Sequence, residues 1–143
     1  MAKILIVEDD AKNLELLGWD MEDLGHAWQH AGNASDAERL STEDEFDLVL
    51  MDITIPAMPG EPHNSQPHGL SASTEIRRRH PSLPIVAITA HGMQHMRQQV
   101  MKAGCNEILE KPFAFEQLRD TLHKWLQLDG QSPAAQESGA SKE

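Results

Sequence analysis

Four apolar stretches of the sequence each run into side chains that could do chemistry together. The side chains at their ends are Glu8, Asp9 and Asp10 in "KILIVEDD", Asp52 in "DLVLMD", Thr89 in "PIVAIT" and Lys111 in "EILEKP". A carboxylate without a partner is costly to remove from water, so an acid at the end of a buried stretch needs solvent or partners. Crowded carboxylates either raise one another's pKa or hold a cation. Mg²⁺ suits such a site because it prefers oxygen ligands, usually one or two carboxylates together with a phosphate.

These residue types also match one reaction, the transfer of a phosphoryl group to a carboxylate. A carboxylate beside Mg²⁺ can act as a nucleophile toward phosphorus. The cation and the ammonium group of Lys111 would stabilise charge on the transferring oxygens, with the Thr89 hydroxyl in reach. The product would be an aspartyl phosphate on Asp52. Each residue alone is common at its position, but the set of groups, each at the end of its own stretch, is a specific signal.

Alternating strand-like and helix-like stretches would position these groups. The five strand candidates are "KILIV", the weaker "HAWQHAG", "DLVLM", "PIVAIT" and "CNEILE". The helix candidates are "AKNLELLGWDMEDLG", "SDAERLSTEDEF" with Ser35 as its cap, a helix starting near Gly69, "HGMQHMRQQVMKAG", and a final helix around Leu118. Five strands, each followed by a helix, predict an α/β fold with a five-stranded parallel sheet and helices on both faces. Ligands of such sheets bind beyond the carboxyl ends of the strands, where the carboxylates, the Thr89 hydroxyl and the Lys111 ammonium group would meet.

Size and charge exclude several classes of protein. With 143 residues, 39% hydrophobic and 24% charged, the chain is predicted to form one globular domain, and no apolar run approaches the ~18 residues of a membrane-spanning helix. Twelve basic against 23 acidic residues give a net charge of −11 and argue against direct nucleic-acid binding. One cysteine, Cys105, excludes an internal disulfide, and the N-terminus is unlike a signal peptide; both features indicate the cytoplasm.

The stretches "ILIVEDD", "DLVLMDITIP", "IVAITA" and "EILEKPF" resemble the four signature stretches of bacterial two-component response-regulator receiver domains. The resemblance covers roughly residues 3 to 128 and is strongest to single-domain receivers and those attached to hybrid sensor kinases. It implies a flavodoxin-like (βα)5 fold in which Asp52 is the phosphoacceptor. The metal ligands it implies are Glu8, Asp9 and Asp52 together with the backbone carbonyl of Thr54, and the metal is Mg²⁺. Thr89 and Lys111 would contact the phosphoryl group, the Lys111–Pro112 bond would be cis, and Asp10 would only cap the first helix.

The same resemblance implies partners. A sensor histidine kinase or a histidine phosphotransfer protein would donate the phosphoryl group, and phosphorylation would switch a face that binds a downstream protein. That face would consist of Thr89, Met93, Met96, Arg97, Ile108 and Glu110. Residues 129–143 are rich in Gly, Ser, Ala and Pro and are predicted to be a disordered tail after a receiver domain at 1–128. No DNA-binding output domain is expected.

The sequence departs from the family at three places. Residues 59–68 form an inserted loop, because prolines at 59, 62 and 67 forbid a helix there, and either Gly60 or Gly69 could be the usual glycine. Ile108 stands where an aromatic switch residue is frequent in the family, so the aromatic half of the family's coupled rotamer change is absent. His91 and Thr54 occupy the two positions that influence the lifetime of the aspartyl phosphate in the family.

Two alternative functions are compatible with part of this sequence pattern. A receiver fold could act as a phosphorylation-independent docking adaptor, which Ile108 and the inserted loop would allow. A haloacid-dehalogenase-type phosphatase would also use an aspartate nucleophile with Mg²⁺, but its nucleophile belongs on the first strand and it carries a cap domain. The expectation is therefore a phosphoacceptor and not an enzyme.

Overall fold

The structure, a computed structural model, describes residues 1–62 and 66–126. The first compact unit is Met1–Pro112, and a second begins at Phe113. The predicted tail at 129–143 and the domain boundary at 128 lie outside the described residues. No helix within the described ranges has the length and apolar character needed to cross a bilayer.

Five parallel strands form one sheet and alternate with helices along the chain. The strands are β1 (Lys3–Val7), β2 (Ala27–Ala31), β3 (Leu48–Asp52), β4 (Ile85–Thr89) and β5 (Glu107–Glu110). The helices are α1 (Ala11–Leu24), α2 (Ala34–Glu43), α3 (His68–Arg79), α4 (Arg97–Lys102) and α5 (Phe115–Leu126), with a 3-10 turn at Gln94–Met96. The strand order β2-β1-β3-β4-β5 is the flavodoxin-like order, which confirms the predicted fold class.

Position in the sheet explains why some strands were easy to predict. β3 and β4 lie in the interior of the sheet, and every residue of both strands is buried, so they read as continuous apolar runs. β2 lies at one edge, and three of its five residues are exposed, which explains its weak sequence pattern.

Helix starts agree with the sequence at α1 and differ at α2. Asp10 caps α1, as predicted, by accepting a hydrogen bond from Asn13 N at 2.9 Å. The cap predicted at Ser35 is wrong: Asn33 caps α2, and its side chain accepts from the Asp36 N–H. The reason is tertiary, because the loop after β3 offers a carbonyl to the Ser35 N–H at 2.9 Å and so lets the helix begin earlier.

The fourth helix is shorter than its apolar pattern predicts. Residues 91–104 were expected to be helical, but α4 begins only at Arg97, after the 3-10 turn. Gly92 adopts a left-handed conformation with φ +90°, and its N–H donates to the Glu110 carboxylate instead of continuing a helix.

In the described residues that flank the inserted loop, an isolated parallel bridge pairs Ile55 with Pro67. α3 then begins against the end of β3, where Gly69 N donates to the Ile53 carbonyl at 2.9 Å. A Cβ at Gly69 would lie 2.6 Å from both the Asp52 carbonyl oxygen and Ile53 Cα. Gly69 is therefore the glycine that the packing beside Asp52 requires, whereas a Cβ on Gly60 would meet open space.

Replacing Gly69 with Ala should destabilise the protein, because backbone atoms of β3 and α3 must move apart. We expect the free energy of unfolding to fall by about 1–3 kcal/mol, measured by denaturant titration. Gly32→Ala is the control, since its Cβ would meet the His30 ring at an ordinary 3.6 Å. Equal stability of Gly69→Ala and Gly32→Ala would contradict the close packing.

Candidate functional site

The chemical groups predicted from the sequence lie at one edge of the sheet. The parallel register places Val7 beside Met51, Asp52 beside Ile88, and Thr89 beside Glu110. The ends of β1, β3, β4 and β5 are thus level, because parallel strands present their carboxyl ends at the same side. The Lys111–Pro112 peptide bond that follows β5 is cis, as the resemblance implied.

Three carboxylates cluster at this edge. Glu8 is 1% exposed and Asp52 is 4% exposed, while Asp9 is half-buried. One carboxylate oxygen from each of the three lies within 4.8 Å of the others. Oxygen donors at this spacing match the coordination chemistry of Mg²⁺. The residues present therefore suit the cation that the sequence predicts.

Lys111 brings positive charge to the cluster. Its Nζ lies 3.3 Å from Glu8 Oε1 and 3.3 Å from Asp52 Oδ2. Burial lowers the pKa of the Lys111 ammonium group, but the charges of Asp52 and Glu8 outweigh that effect, so the pKa is raised overall. Lys111 therefore stays charged beside Asp52.

Glu8 differs from an ordinary surface glutamate. Burial and the charge of Asp52 raise the pKa of Glu8 to about 7, although Lys111 and the Asp10 N–H, 3.1 Å from Oε2, act in the opposite direction. Between pH 4.5 and about 7 the folded protein thus keeps a proton that the unfolded chain has lost. The metal-free protein should therefore lose stability as the pH rises across this range.

Mg²⁺ binding should release a proton near neutral pH, because the cation needs the Glu8 carboxylate in its charged form. We expect the apparent affinity for Mg²⁺ to increase between about pH 6 and about pH 8, the range that brackets the raised pKa. Calorimetric titration in two buffers of different ionisation enthalpy counts the protons released. Glu8→Gln should release fewer protons, and equal proton release in the two proteins would contradict this role of Glu8.

The Asp52 carboxylate is held in one orientation. Thr54 N donates to Asp52 Oδ1 at 3.1 Å, and Thr54 Oγ1 lies 3.4 Å from the same oxygen. Oδ2 is the oxygen near Lys111. Because Thr54 fixes one oxygen and Lys111 attracts the other, the Asp52 carboxylate has a defined orientation in the cleft.

The residues predicted to form the switch face lie in different environments. Thr89 is buried at the end of β4, and its carbonyl accepts from Lys111 N at 2.8 Å. Ile108 and Met96 are partly buried and pack against the hydrophobic core. Three further members, which are half-buried or exposed, are Met93, Arg97 and Glu110. Only part of the predicted face is therefore available to a partner in this conformation.

His91 is exposed and contacts the last residue of β5. Its side chain is 83% exposed and contacts Glu110 at 3.2 Å, and it is not among the described residues that line the cleft around Asp52. Thr54 lines that cleft. The influence of Thr54 and His91 on phosphate lifetime stays a prediction, and Thr54 contacts Asp52.

The cleft is larger than the predicted residues indicate, with a volume of about 800 Å³. The lining residues that sequence reasoning missed are Asn13, His30, Gly32, Asn33, Asp36, Pro56 and Met58. His30 Nε2 lies 2.7 Å from the Glu8 carbonyl. The position of His30 near the carboxyl end of β2 was a usable signal, since every strand of such a sheet points that end toward the same edge.

Comparisons with known proteins agree with this geometry. The family model of the response regulator receiver domain matches residues 4–123. Sensor protein GacS of Pseudomonas syringae pv. syringae is 32% identical over 141 residues, covering 99% of this chain and 15% of that protein. Response regulator protein FleR of Pseudomonas aeruginosa is 33% identical over 138 residues, covering 96% of this chain and 27% of that protein. The chain thus spans only a minor part of the length of these relatives.

Solved structures show the same architecture. The receiver domain of sensor histidine kinase PA1611 from Pseudomonas aeruginosa PAO1, solved with a magnesium ion coordinated in its active-site cleft, has a TM-score of 0.76 and 30% identity. That match covers 87% of this chain and 97% of the other. The receiver domain of NtrX from Brucella abortus matches with a TM-score of 0.76 and 29% identity over 87% of this chain and 98% of the other. Since the family model spans most of its length, the chain belongs to the response regulator receiver family of two-component systems.

Proposed function

We propose that this receiver accepts a phosphoryl group on Asp52 in a Mg²⁺-dependent His–Asp phosphorelay. The observation that carries the proposal is the oriented Asp52 carboxylate, with Lys111 Nζ 3.3 Å from one oxygen and two further acids beside it. A nucleophile, a compensating cation and a metal-binding set of oxygens are the parts that phosphoryl transfer to a carboxylate needs.

Glu8, Asp9 and Asp52 would hold Mg²⁺ through their carboxylates, with the Thr54 carbonyl as a fourth protein ligand. When bound, the cation supplies positive charge to the oxygens of the transferring phosphoryl group. The magnesium ion in the PA1611 receiver supports this choice of metal.

The reaction exchanges one bond to phosphorus for another. A carboxylate oxygen of Asp52 attacks the phosphorus of a phosphohistidine, the P–N bond breaks, and its electron pair stays with the histidine nitrogen. The product is an acyl phosphate on Asp52. The Lys111 ammonium group compensates the charge of the phosphoryl oxygens, and the Thr89 hydroxyl donates a hydrogen bond to one of them. The protein therefore serves as the substrate of the transfer and is not an enzyme acting on an external substrate.

The partners follow from this role. The donor is a sensor histidine kinase or a histidine phosphotransfer protein, as the similarity to sensor protein GacS supports. The output is a change in binding to a downstream protein through the β4–α4 loop and α4. The net charge of −11 speaks against a nucleic-acid partner. The cytoplasmic location stays a prediction.

Intact mass spectrometry after incubation with acetyl phosphate tests the proposal. With Mg²⁺ we expect the mass of one added phosphoryl group, and with EDTA, or with acetate in place of acetyl phosphate, no addition. Magnesium-independent addition would contradict the metal role. A folded chain that binds Mg²⁺ but gains no mass, from acetyl phosphate or from phosphorylated histidine proteins, would instead favour a docking adaptor that works without phosphorylation.

A further inference from the structure

One carboxylate oxygen gathers three groups from the loop that follows β4. Gly92 N donates to Glu110 Oε2 at 3.3 Å, Gln94 Nε2 donates to it at 2.9 Å, and His91 Nδ1 lies 3.2 Å away. We call these contacts of Glu110 with His91, Gly92 and Gln94 the latch. The loop begins directly after Thr89, the last residue of β4. The latch therefore holds the chain that follows Thr89.

Glu110 is connected to both groups that would contact a phosphoryl group on Asp52. It is the register partner of Thr89 across β4 and β5. The next residue, Lys111, donates its N–H to the Thr89 carbonyl at 2.8 Å. The latch and this backbone hydrogen bond therefore both connect the chain around Thr89 to the end of β5.

Ile108, on the same strand, cannot accept hydrogen bonds from the loop as Glu110 does. Successive side chains of a strand alternate between faces, so Ile108 and Glu110 point to the same face of β5. Ile108 is aliphatic, offers no hydrogen-bond acceptor in its side chain, and packs against the core. The Glu110 side chain, by contrast, accepts hydrogen bonds from the loop at Gly92 and Gln94.

Resting on the proposed phosphorylation of Asp52, we propose that Glu110 is a positioning residue whose latch holds the β4–α4 loop and Thr89 in the unphosphorylated conformation. Movement of Thr89 to the phosphoryl group breaks the latch and frees the loop for a partner. His91 and Glu110 are 83% and 39% exposed, so the latch is weak. A weak latch suits a switch, because a small free-energy bias is enough to shift the populations of two conformations.

Glu110→Ala tests the latch, with Glu45→Ala as a control that removes one exposed acid elsewhere on the chain. We expect Glu110→Ala to be phosphorylated by acetyl phosphate and Mg²⁺ about fivefold faster than the wild type, the ratio that an exposed contact of this strength supports. In its free form, the Gly92 amide resonance should move part of the way toward its position in wild type saturated with beryllium fluoride and Mg²⁺. His91→Ala/Glu110→Ala should match Glu110→Ala, since the latch is already open, and Glu45→Ala should match the wild type.

The outcomes separate this inference from the function on which it rests. A wild type that gains no phosphoryl group and binds no beryllium fluoride overturns the proposed function and the latch together. A wild type that is phosphorylated, with an unchanged or slower rate in Glu110→Ala, overturns the latch alone. A Gly92 resonance that moves in another direction shows that Glu110 merely orders the loop, and it overturns the latch as well.

Discussion

Lys111→Met is expected to slow phosphorylation of the protein by about 100-fold or more while strengthening its binding of Mg²⁺ several-fold. The two effects have opposite signs because one positive charge plays two parts. The Lys111 ammonium group lies 3.3 Å from carboxylate oxygens of both Glu8 and Asp52, so it competes with a bound cation for the same negative charge. In the transition state of the proposed transfer, the same ammonium group would compensate charge on the phosphoryl oxygens.

The measurements for Lys111→Met are the phosphorylation rate with acetyl phosphate and the increase in melting temperature on adding Mg²⁺. That increase should be larger in the variant than in the wild type, because tighter binding stabilises the folded state more at a given concentration. Lys102→Met, which removes an exposed lysine on α4, is the matched control. If the variant lost rate and Mg²⁺ affinity together, Lys111 would be a structural support of the site and not a separate source of charge.

Asp52→Asn should lower the rate of phosphorylation by about 1,000-fold or more, the scale seen when a nucleophile is removed. The carboxamide keeps the shape of the side chain and can still accept the Thr54 N–H through its oxygen, so the fold should survive. Asn lacks the negatively charged oxygen that attacks phosphorus. Intact mass and circular dichroism of the same sample check both expectations.

Asp23→Asn is the control for Asp52→Asn, since it changes an exposed aspartate of α1 in the same way. It should be phosphorylated at the wild-type rate. Comparable phosphorylation of Asp52→Asn and Asp23→Asn would show that another residue accepts the phosphoryl group.

The sheet, and the edge at which its polar residues meet, were predictable because both depend on the local sequence of each strand. β3 and β4 are buried on both faces and so read as apolar runs, and the rule that parallel sheets bind ligands at strand ends then gathers Asp52, Thr89 and Lys111. The cap at Asp10 was also predictable, because an aspartate accepting an N–H three residues on is a local contact.

The features that could not be predicted depend on distant parts of the chain. The start of α2 depends on carbonyls of Pro56 and Ala57, which accept the N–H groups of Ala34 and Ser35 at 2.9 Å. The late start of α4 is linked to the Glu110 carboxylate, on a different strand, holding Gly92. No spacing rule within either helix contains that information, since the contacts that decide it come from tertiary structure.

The choice between Gly60 and Gly69 shows the same limit at the site itself. Both glycines follow Asp52 at plausible distances in a proline-rich loop. Only the structure shows the start of α3 pressed against the backbone of β3, where a side chain at Gly69 would collide and one at Gly60 would not. Within the described part of the inserted loop, Pro59, Gly60 and Glu61 line the cleft.

The most direct test of the central claim is to locate the phosphoryl group on the chain. After phosphorylation by acetyl phosphate and Mg²⁺, borohydride reduces an acyl phosphate of aspartate to homoserine, and tandem mass spectrometry of peptides finds the altered residue. We predict homoserine at position 52 in the phosphorylated wild type and its absence when Mg²⁺ is chelated. Homoserine at Asp9, Asp10 or any other aspartate, with Asp52 unaltered, would contradict the assignment of Asp52 as the phosphoacceptor.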